Sequence, residues 1–600
     1  MYEARAVGFD LESEEKRRAS QQIGYGRLLL FLIMSVTAWW TWGGGLGRPG
    51  LWALGFMTVA FVWLVRLHRK ARLRQRRVEI MAEINRESIA RMERAWDRIP
   101  PPPEIEIAAA HDYARDLDLQ GTASLLHLIA TCGTAPGLST LWDWLRRPAL
   151  GRELSIRQQA VADLSPRLDL RDALSAEARL LDQDRGRQFE GFLRWAEGPP
   201  SELVRSHWLQ AASWGLPIAN LVLLALWWAE QIPTAPLTWS LLISTAVAGS
   251  SVRRIHGRFA QAEAEEAGIR EYGPILALLA ASSLESEWGR SAHTRLDSGE
   301  RAAHQEVHTL RRLLDLAEMR RSPLFHLPLL VVLFWDVHVL RHLEAWRRRA
   351  GSHVRDWLAV VGEAEALAAL AGLSHQNPEW VEADVSPERD RIEGRRLAHP
   401  LIPPAVRVAN DVEIGPAGSF LLVTGSNMSG KSTLLRAVGL NVVLGQAGGP
   451  VCASQLSMPP TRVVTSMRVD DSLAGGVSFF MAELQRLKHV VHVAESDEPG
   501  LCLYLLDEML QGTNSAERRV AARTVIRRLV ASGSLGAVTT HDLTLAETPD
   551  LARIAVPVHF TETVGSSDEG LTFDYRLRPG VAQSTNALKL LRLVGLGGEE

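Results

Sequence analysis

The sequence predicts an α/β domain with a phosphate-binding P-loop in its last third, joined to a mainly α-helical core and two transmembrane helical hairpins. Three observations predict it. β-branched runs alternate with helical segments after Pro387, a GxxxxGK[ST] pattern closes one of those runs at residues 425–432, and two pairs of charge-free apolar stretches lie near 28–65 and 208–250.

Six hundred residues exceed what one hydrophobic core can organise, so about three to five structural units are expected. The formal net charge of −3 excludes a chain that holds nucleic acid by overall positive charge, and leaves only regional basic patches for such contacts. Cys132, Cys452 and Cys502 lie far apart without ligand spacing, so neither a disulfide framework nor a zinc site is indicated, and a reducing compartment fits the soluble parts.

The apolar stretches come first in chain order. Residues 28–42 are apolar apart from Ser35, Thr37 and Thr41, and after a glycine-rich break residues 51–65 are apolar except for Thr58. Each is somewhat short of the roughly 20 residues of a spanning helix, but the flanks can extend them. A signal peptide would begin nearer the terminus and lack the second run. The second pair, 208–228 and 237–250, is separated by a turn containing Pro233 and Pro236, and its competing reading is a buried helical pair. Basic residues precede and follow the hairpins, whereas the turns inside them carry only Arg48 and Glu230. The positive-inside rule then places the ends of both hairpins and every large soluble segment on the cytoplasmic side of the cell membrane, with Trp39, Trp40, Trp42, Trp227, Trp228 and Trp239 near the interfaces. A third apolar stretch, 324–340, is interrupted by Pro328 and contains His326, Asp336 and His338. A charge at mid-membrane is costly, so this stretch is expected to be a core helix.

Between and after the hairpins the composition is helical. Residues 66–98 are highly charged with apolar residues at helical intervals, and predict a helix leaving the membrane and stopped by Pro100. Residues 117–164 and 260–373 are rich in Leu, Ala, Glu and Arg at helical spacing. The expected organisation is therefore 1–77 with the first hairpin, 78–200 as the first part of the helical core, 201–256 as the second hairpin, 257–395 as the second part of the core, and 396–600 as the α/β domain.

The chemistry concentrates in that last segment. Residues 420–424 read as a buried strand, followed by Gly425, Ser426, Asn427, Met428, Ser429, Gly430, Lys431, Ser432 and Thr433 and then a helix-forming run. Backbone N–H groups of such a loop, with a helix N-terminus behind them, surround phosphate oxygens. Lys431 is placed to reach the β- and γ-phosphates of ATP, and the Ser432 hydroxyl to ligate Mg²⁺. A second buried strand, 501–506, ends in Asp507 and Glu508. Asp507 is expected at the Mg²⁺ ion and Glu508 at the attacking water. A third strand, 535–540, leads to His541 at the carboxyl edge of the sheet, where an imidazole could sense the γ-phosphate.

Together these motifs resemble the MutS family of mismatch-repair ATPases, members of the ABC ATPase class. The run from Thr424 to Thr433, the pair Asp507 and Glu508 with Gly512 and Thr513 after it, His399 with Pro400, and Asn410 with Asp411 carry the resemblance, and segments at 124–137, 144–148 and 156–161 resemble the family's helical core. The stretch from Asp470 to Glu483 resembles the family signature, which implies that Ser478 faces a γ-phosphate in a partner subunit and that the chain forms a homodimer. Residues 577–580 and Ser584 resemble the closing dimerisation region. Departures accompany the matches. No segment before the helical core could form the mismatch-recognition domain, no Phe-x-Glu wedge is suitably placed, Phe479 stands where the signature has Thr, and Gln511 where Arg follows Walker B. The resemblance implies a dimeric membrane-anchored ATPase with DNA as a candidate partner but without mismatch specificity. The alternatives are an ATP-gated membrane scaffold without DNA contact and an ABC transporter half, the latter opposed by a signature that is not LSGGQ-like.

Overall fold

The computed structural model describes residues 1–43, 45–101, 111–181, 189–199, 207–266, 269–319, 323–426, 429–468, 479–510, 515–541, 548–564 and 571–582. Contacts divide the chain into two units, one of Met1–Thr131, Leu141–Leu168 and Leu367–Glu600, the other of Cys132–Thr140 and Asp169–Ala366.

In the first unit a six-stranded sheet runs in the order 571–579, 555–564, 420–424, 535–540, 501–507, 461–466. All neighbours are parallel except the pair at the 571–579 edge. The central strand Phe420–Thr424 is buried at every position, as a parallel strand covered on both faces must be. Helices Phe479–Ala494 and Ser515–Ala531 bring Leu487, Val490, Ile526 and Leu529 onto Phe420, Leu422, Tyr504, Leu506 and Val538. The register puts Thr540 beside Thr424 and Thr539 beside Asp507, so three strands end at one edge. A smaller sheet, ordered 384–385, 455–458, 392–397, 410–414, accompanies it.

The same unit contains two long helices, α1 (Tyr2–Trp42) and α2 (Gly47–Glu93). They pair along their apolar parts, where the rings of Phe31 and Phe61 lie 6.2 Å apart, while Trp39, Trp42 and Trp52 face outward at 79%, 87% and 82% exposure. Among the described residues, none covers that surface along the pair. The far end of α1 is anchored: Tyr2 is buried with its hydroxyl 2.9 Å from His375 Nδ1, and Asp10 pairs with Arg86. The apolar limb 51–65 and the charged segment after it form one uninterrupted helix, which crosses the expected boundary at residue 77. That helix stops at Glu93, not at Arg98, because Arg94 takes the left-handed conformation (φ 59°) and its N–H closes on Ala90 O and Arg91 O. A single turn of 3₁₀ helix, Trp96–Arg98, follows.

The second unit is helical. Helices His207–Trp228 and Thr234–Glu266 form the second apolar pair, held by a polar clamp in which Ser240 Oγ donates to Asn220 Oδ1 (2.6 Å) and Asn220 Nδ2 donates to Ser244 Oγ (3.0 Å). Pro217 lies inside the first of these helices and has no N–H for the carbonyl of Ser213; His338 Nε2, 3.1 Å away, donates to it instead. The stretch 324–340, expected to be one core helix, is two: Pro323–Leu333 and Trp335–Ala350 meet at Phe334, whose φ of 50° breaks the helix. Asp336 is buried as expected, with His326 Nε2 2.9 Å from its Oδ1.

Among the described residues, four helical stretches are long and apolar enough to cross a membrane: Tyr2–Trp42, Gly47–Glu93, His207–Trp228 and Trp335–Gln376. The most apolar window of the last is 83% buried inside the protein, against 0%, 6% and 22% for the others, so it is core. Helix Thr234–Glu266, which contains the expected fourth span, is not among them; serines, threonines and a proline dilute its apolar run.

Glu365 is buried at 2% exposure, accepting the N–H of Gly133 at 2.8 Å and the hydroxyl of Thr134, and a Cβ on Gly137 would collide with its carboxylate. Burial raises its pKa to about 7 against an ordinary 4.5. The native state therefore holds a proton between about pH 4.5 and 7 that the unfolded chain releases, and stability of this unit should fall as pH rises through that window by up to about 3 kcal/mol. In Glu365→Gln the amide can serve both partners, and thermal unfolding measured from pH 5 to 8 should lose that decline.

Candidate functional site

The site is assembled at the carboxyl edge of the parallel sheet. After Thr424 the chain turns through Gly425 at φ 146°, where a Cβ would lie 2.9 Å from Ser429 Oγ and 3.2 Å from Phe560 O, so only glycine fits. Gly430 at φ 102° caps helix Lys431–Ala447, and a Cβ there would press on the Tyr575 ring at 3.2 Å. Lys431 thus opens a helix directly behind the loop, with the partial positive charge of the helix N-terminus beside its own. Its side chain is only 4% exposed, and its Nζ donates to Gly425 O (3.0 Å) and Ser426 O (2.9 Å) and lies 3.4 Å from Glu508 Oε1.

Asp507 closes strand Leu501–Asp507, and the Thr539 hydroxyl on the neighbouring strand donates to its Oδ1, which orients the carboxylate. Glu508 follows with φ 48° and its N–H directed to Thr539 O at 3.3 Å; Leu510 is also left-handed, at φ 62°. Two non-glycine residues in that region within three positions store backbone strain, a frequent companion of functional loops. The strain is fixed by Glu483 of helix Phe479–Ala494, whose buried carboxylate accepts the N–H of Leu510. His541 is about half exposed. Its Nε2 lies 3.2 Å from Arg518 Nη2, which can only donate, so the ring proton of the neutral imidazole sits on Nδ1, 3.7 Å from Glu508 Oε2.

Of these groups, Gly430, Lys431, Asp507 and Glu508 line a cavity of about 690 Å³, enough for a nucleotide. Lys431, Ser432, Thr433, Asp507 and Glu508 form its polar end; His399, Ile402, Val406, Val408 and Tyr575 form a less polar wall. Burial pushes the His399 imidazole down to about 4, and the Leu401 N–H donates to its Nδ1 at 3.2 Å, so the ring is neutral with its proton on Nε2. Such a cavity can take a flat heteroaromatic ring at one end and a phosphate chain at the other. The donor set fits Mg²⁺: a half-buried serine hydroxyl and a carboxylate are hard oxygen ligands on one cavity, and the buried Ser429 Oγ has no hydrogen-bond partner among the described residues.

Of the residues singled out in the sequence, Gly425, Ser426, Ser429, Gly430, Lys431, Ser432, Thr433, Asp507, Glu508 and His541 stand together at this edge. Asn427, Met428 and Ser478 lie outside the described residues, as do Gly512, Thr513 and Ser584. Five contributors went unread. Tyr575 sits on the edge strand Leu571–Pro579, whose alternation of Leu571, Phe573, Tyr575 and Leu577 is the signal that could have found it. Ile402, Val406 and Val408 belong to a proline-containing segment without periodicity, and Arg518 appears as one more charge on an exposed helix.

A family model described as MutS domain V matches residues 421–599. The chain is 32% identical over 239 residues to the DNA mismatch repair protein MutS 2 of Halobacterium salinarum, a match covering 39% of this chain and 26% of that protein. It is 31% identical over 255 residues to the DNA mismatch repair protein MutS of Natronomonas pharaonis, covering 41% and 28%, and 32% identical over 216 residues to the Endonuclease MutS2 of Thermomicrobium roseum, covering 34% and 25%. The chain thus spans about a quarter of the length of these curated relatives. The cavity residues from Gly430 to Tyr575 fall within the matched stretch, and over that stretch the chain is similar to MutS domain V.

Proposed function

We propose that the chain is a membrane-anchored, MutS-type P-loop ATPase that hydrolyses Mg²⁺–ATP as a homodimer and uses the nucleotide cycle to change the conformation of its helical parts. The observation that carries this reading is the convergence of Lys431, Ser432, Asp507 and Glu508 on one cavity, with Lys431 Nζ 3.4 Å from Glu508. In this reading Lys431 exchanges its loop carbonyls for phosphate oxygens, and Ser432 and Asp507 hold Mg²⁺, which neutralises charge on the phosphates when bound. Glu508 accepts the proton of the attacking water, held in place by the strained turn that Thr539 and Glu483 fix. His541, with its proton on Nδ1, senses the arrangement around the γ-phosphate. Ser478 completes the site of a second copy, and the ring of the base lies between Tyr575 and the apolar wall. DNA as a partner rests on the names of the relatives, which are mismatch-repair proteins and an endonuclease. Membrane anchoring rests on the exposed apolar surface of the α1–α2 pair and of helix His207–Trp228.

Two substitutions separate hydrolysis from binding. Lys431→Ala should abolish tight ATP binding and with it any ATP-dependent dimer. Glu508→Gln should bind ATP, turn it over at least about a hundredfold more slowly, and accumulate as an ATP-dependent dimer. Turnover assays and mass photometry in detergent with Mg²⁺ check this; wild-type turnover in Glu508→Gln removes that residue from the mechanism, and a chain monomeric under all conditions removes the composite site.

For topology, Arg48→Cys and Glu230→Cys should each react with a membrane-impermeant maleimide added outside intact cells, because Arg48 lies in the first turn of α2, where the first apolar pair reverses, and Glu230 in the turn between the helices of the second. Reaction at position 48 alone would leave helices His207–Trp228 and Thr234–Glu266 as a non-spanning pair.

For DNA, any duplex binding should fall steeply with salt and discriminate mismatched from matched duplex by less than about tenfold. A clear preference above that at fixed salt overturns the expectation drawn from the missing wedge.

A further inference from the structure

We propose that Arg94 is a positioning residue that couples nucleotide occupancy to the apolar helix α2, by pinning the end of that helix to the wall of the nucleotide cavity. The inference rests on the ATPase reading of the cavity. Arg94 is 3% exposed, and its guanidinium meets neutral acceptors: Nη1 donates to Arg91 O (2.8 Å) and Met92 O (3.1 Å), Nε to Pro400 O (3.1 Å), and Nη2 to Asn377 Oδ1 (3.3 Å). No carboxylate lies within 4.0 Å of it among the described residues, and burial lowers its pKa to about 10. A buried charge hydrogen-bonded only to neutral groups, with the nearest compensating carboxylate, Glu379, acting from beyond 4.0 Å, contributes less stability than an apolar side chain of the same size could, so stability is a weak account of its presence.

Its contacts explain more. The guanidinium spans three elements: the last turn of α2, the end of helix Val354–Gln376 at Asn377, and Pro400. Pro400 stands between His399, which lines the cavity, and Leu401, whose N–H fixes the His399 ring. On the other side of this wall Asn441, from the helix that begins with Lys431, donates to Ala398 O at 2.9 Å. Residues 398–400 are thus held between the phosphate-loop helix and Arg94. A second tie runs parallel to the first: the guanidiniums of Arg94 and Arg407 lie 5.6 and 5.5 Å from the centre of the Trp380 ring, and Arg407 is flanked by Val406 and Val408 of the cavity wall. A sub-ångström shift of the wall on nucleotide binding therefore reaches the last turn of α2 through hydrogen bonds of fixed fork geometry. From there a continuous helix of 47 residues, roughly 70 Å long at 1.5 Å per residue, carries it to the exposed apolar pair.

Coupling of this kind is reciprocal and separable from folding. In the full-length protein in detergent, the non-hydrolysable imidophosphate analogue of ATP with Mg²⁺ should slow hydrogen exchange of the backbone amides of residues 84–93 at least about fivefold. Arg94→Met should raise the KM for ATP at least about fivefold with kcat within about twofold of wild type, and at saturating analogue the exchange of 84–93 should no longer respond. Arg94→Lys keeps charge and size but loses the fork, and should behave as Arg94→Met does; it serves if the methionine variant does not fold. An exchange response in a nucleotide-saturated Arg94 variant equal to that of wild type overturns the proposal, as does a wild-type α2 indifferent to bound analogue. A wild-type protein that binds no nucleotide at all defeats the ATPase reading instead.

Discussion

Charge concentrated at the end of a dry sheet is the constraint on which the rest depends. Strands Phe420–Thr424, Leu501–Asp507 and Leu535–Thr540 are parallel and buried almost throughout, so their polar residues collect where they end. Lys431 and Glu508 meet there at low exposure, 3.4 Å apart, in an environment where a charge without a partner is costly. That cost explains the supporting apparatus: a loop whose carbonyls accept from Lys431, a threonine that orients Asp507, and a buried glutamate that ties down the strained turn after Glu508.

The same economy of neutral dipoles around a buried cation recurs at Arg94, with carbonyls and an amide in place of carboxylates. The two sites share a wall. Residues 398–400 present His399 to the cavity and Pro400 O to Arg94, so the cavity wall and the end of α2 meet at one short segment.

Much of this was legible in the sequence because it is local. The run from residue 420 to 433 contains its own strand, turn and helix start, and the acidic pair at 507–508 ends its own strand, so periodicity and spacing suffice. What was not legible is non-local. The wall from His399 to Val408 has no periodicity and acquires meaning only when the sheet brings it opposite Lys431. Arg94 reads as one more charge in a basic helix, since only tertiary contact buries it. Residues 2–22 are too charged to suggest an anchored helix, yet Tyr2 and Ala6 are buried by partners far along the chain. Phe334 offers no breaker chemistry, and the interruption there comes from packing that overrides propensity.

The proline in helix His207–Trp228 has a consequence for biosynthesis. The carbonyl it deprives, that of Ser213, is satisfied by His338, 125 residues later in the chain. At elongation rates of about 5–20 residues per second, that donor leaves the ribosome roughly 6–25 s after its acceptor. During that interval the helix carries an open carbonyl in an otherwise apolar stretch, which favours either an early bend with water at the gap or a holding factor. The second apolar pair therefore reaches its final hydrogen bonding only after the helical body that follows it has been made, and the order of synthesis becomes part of how this segment matures.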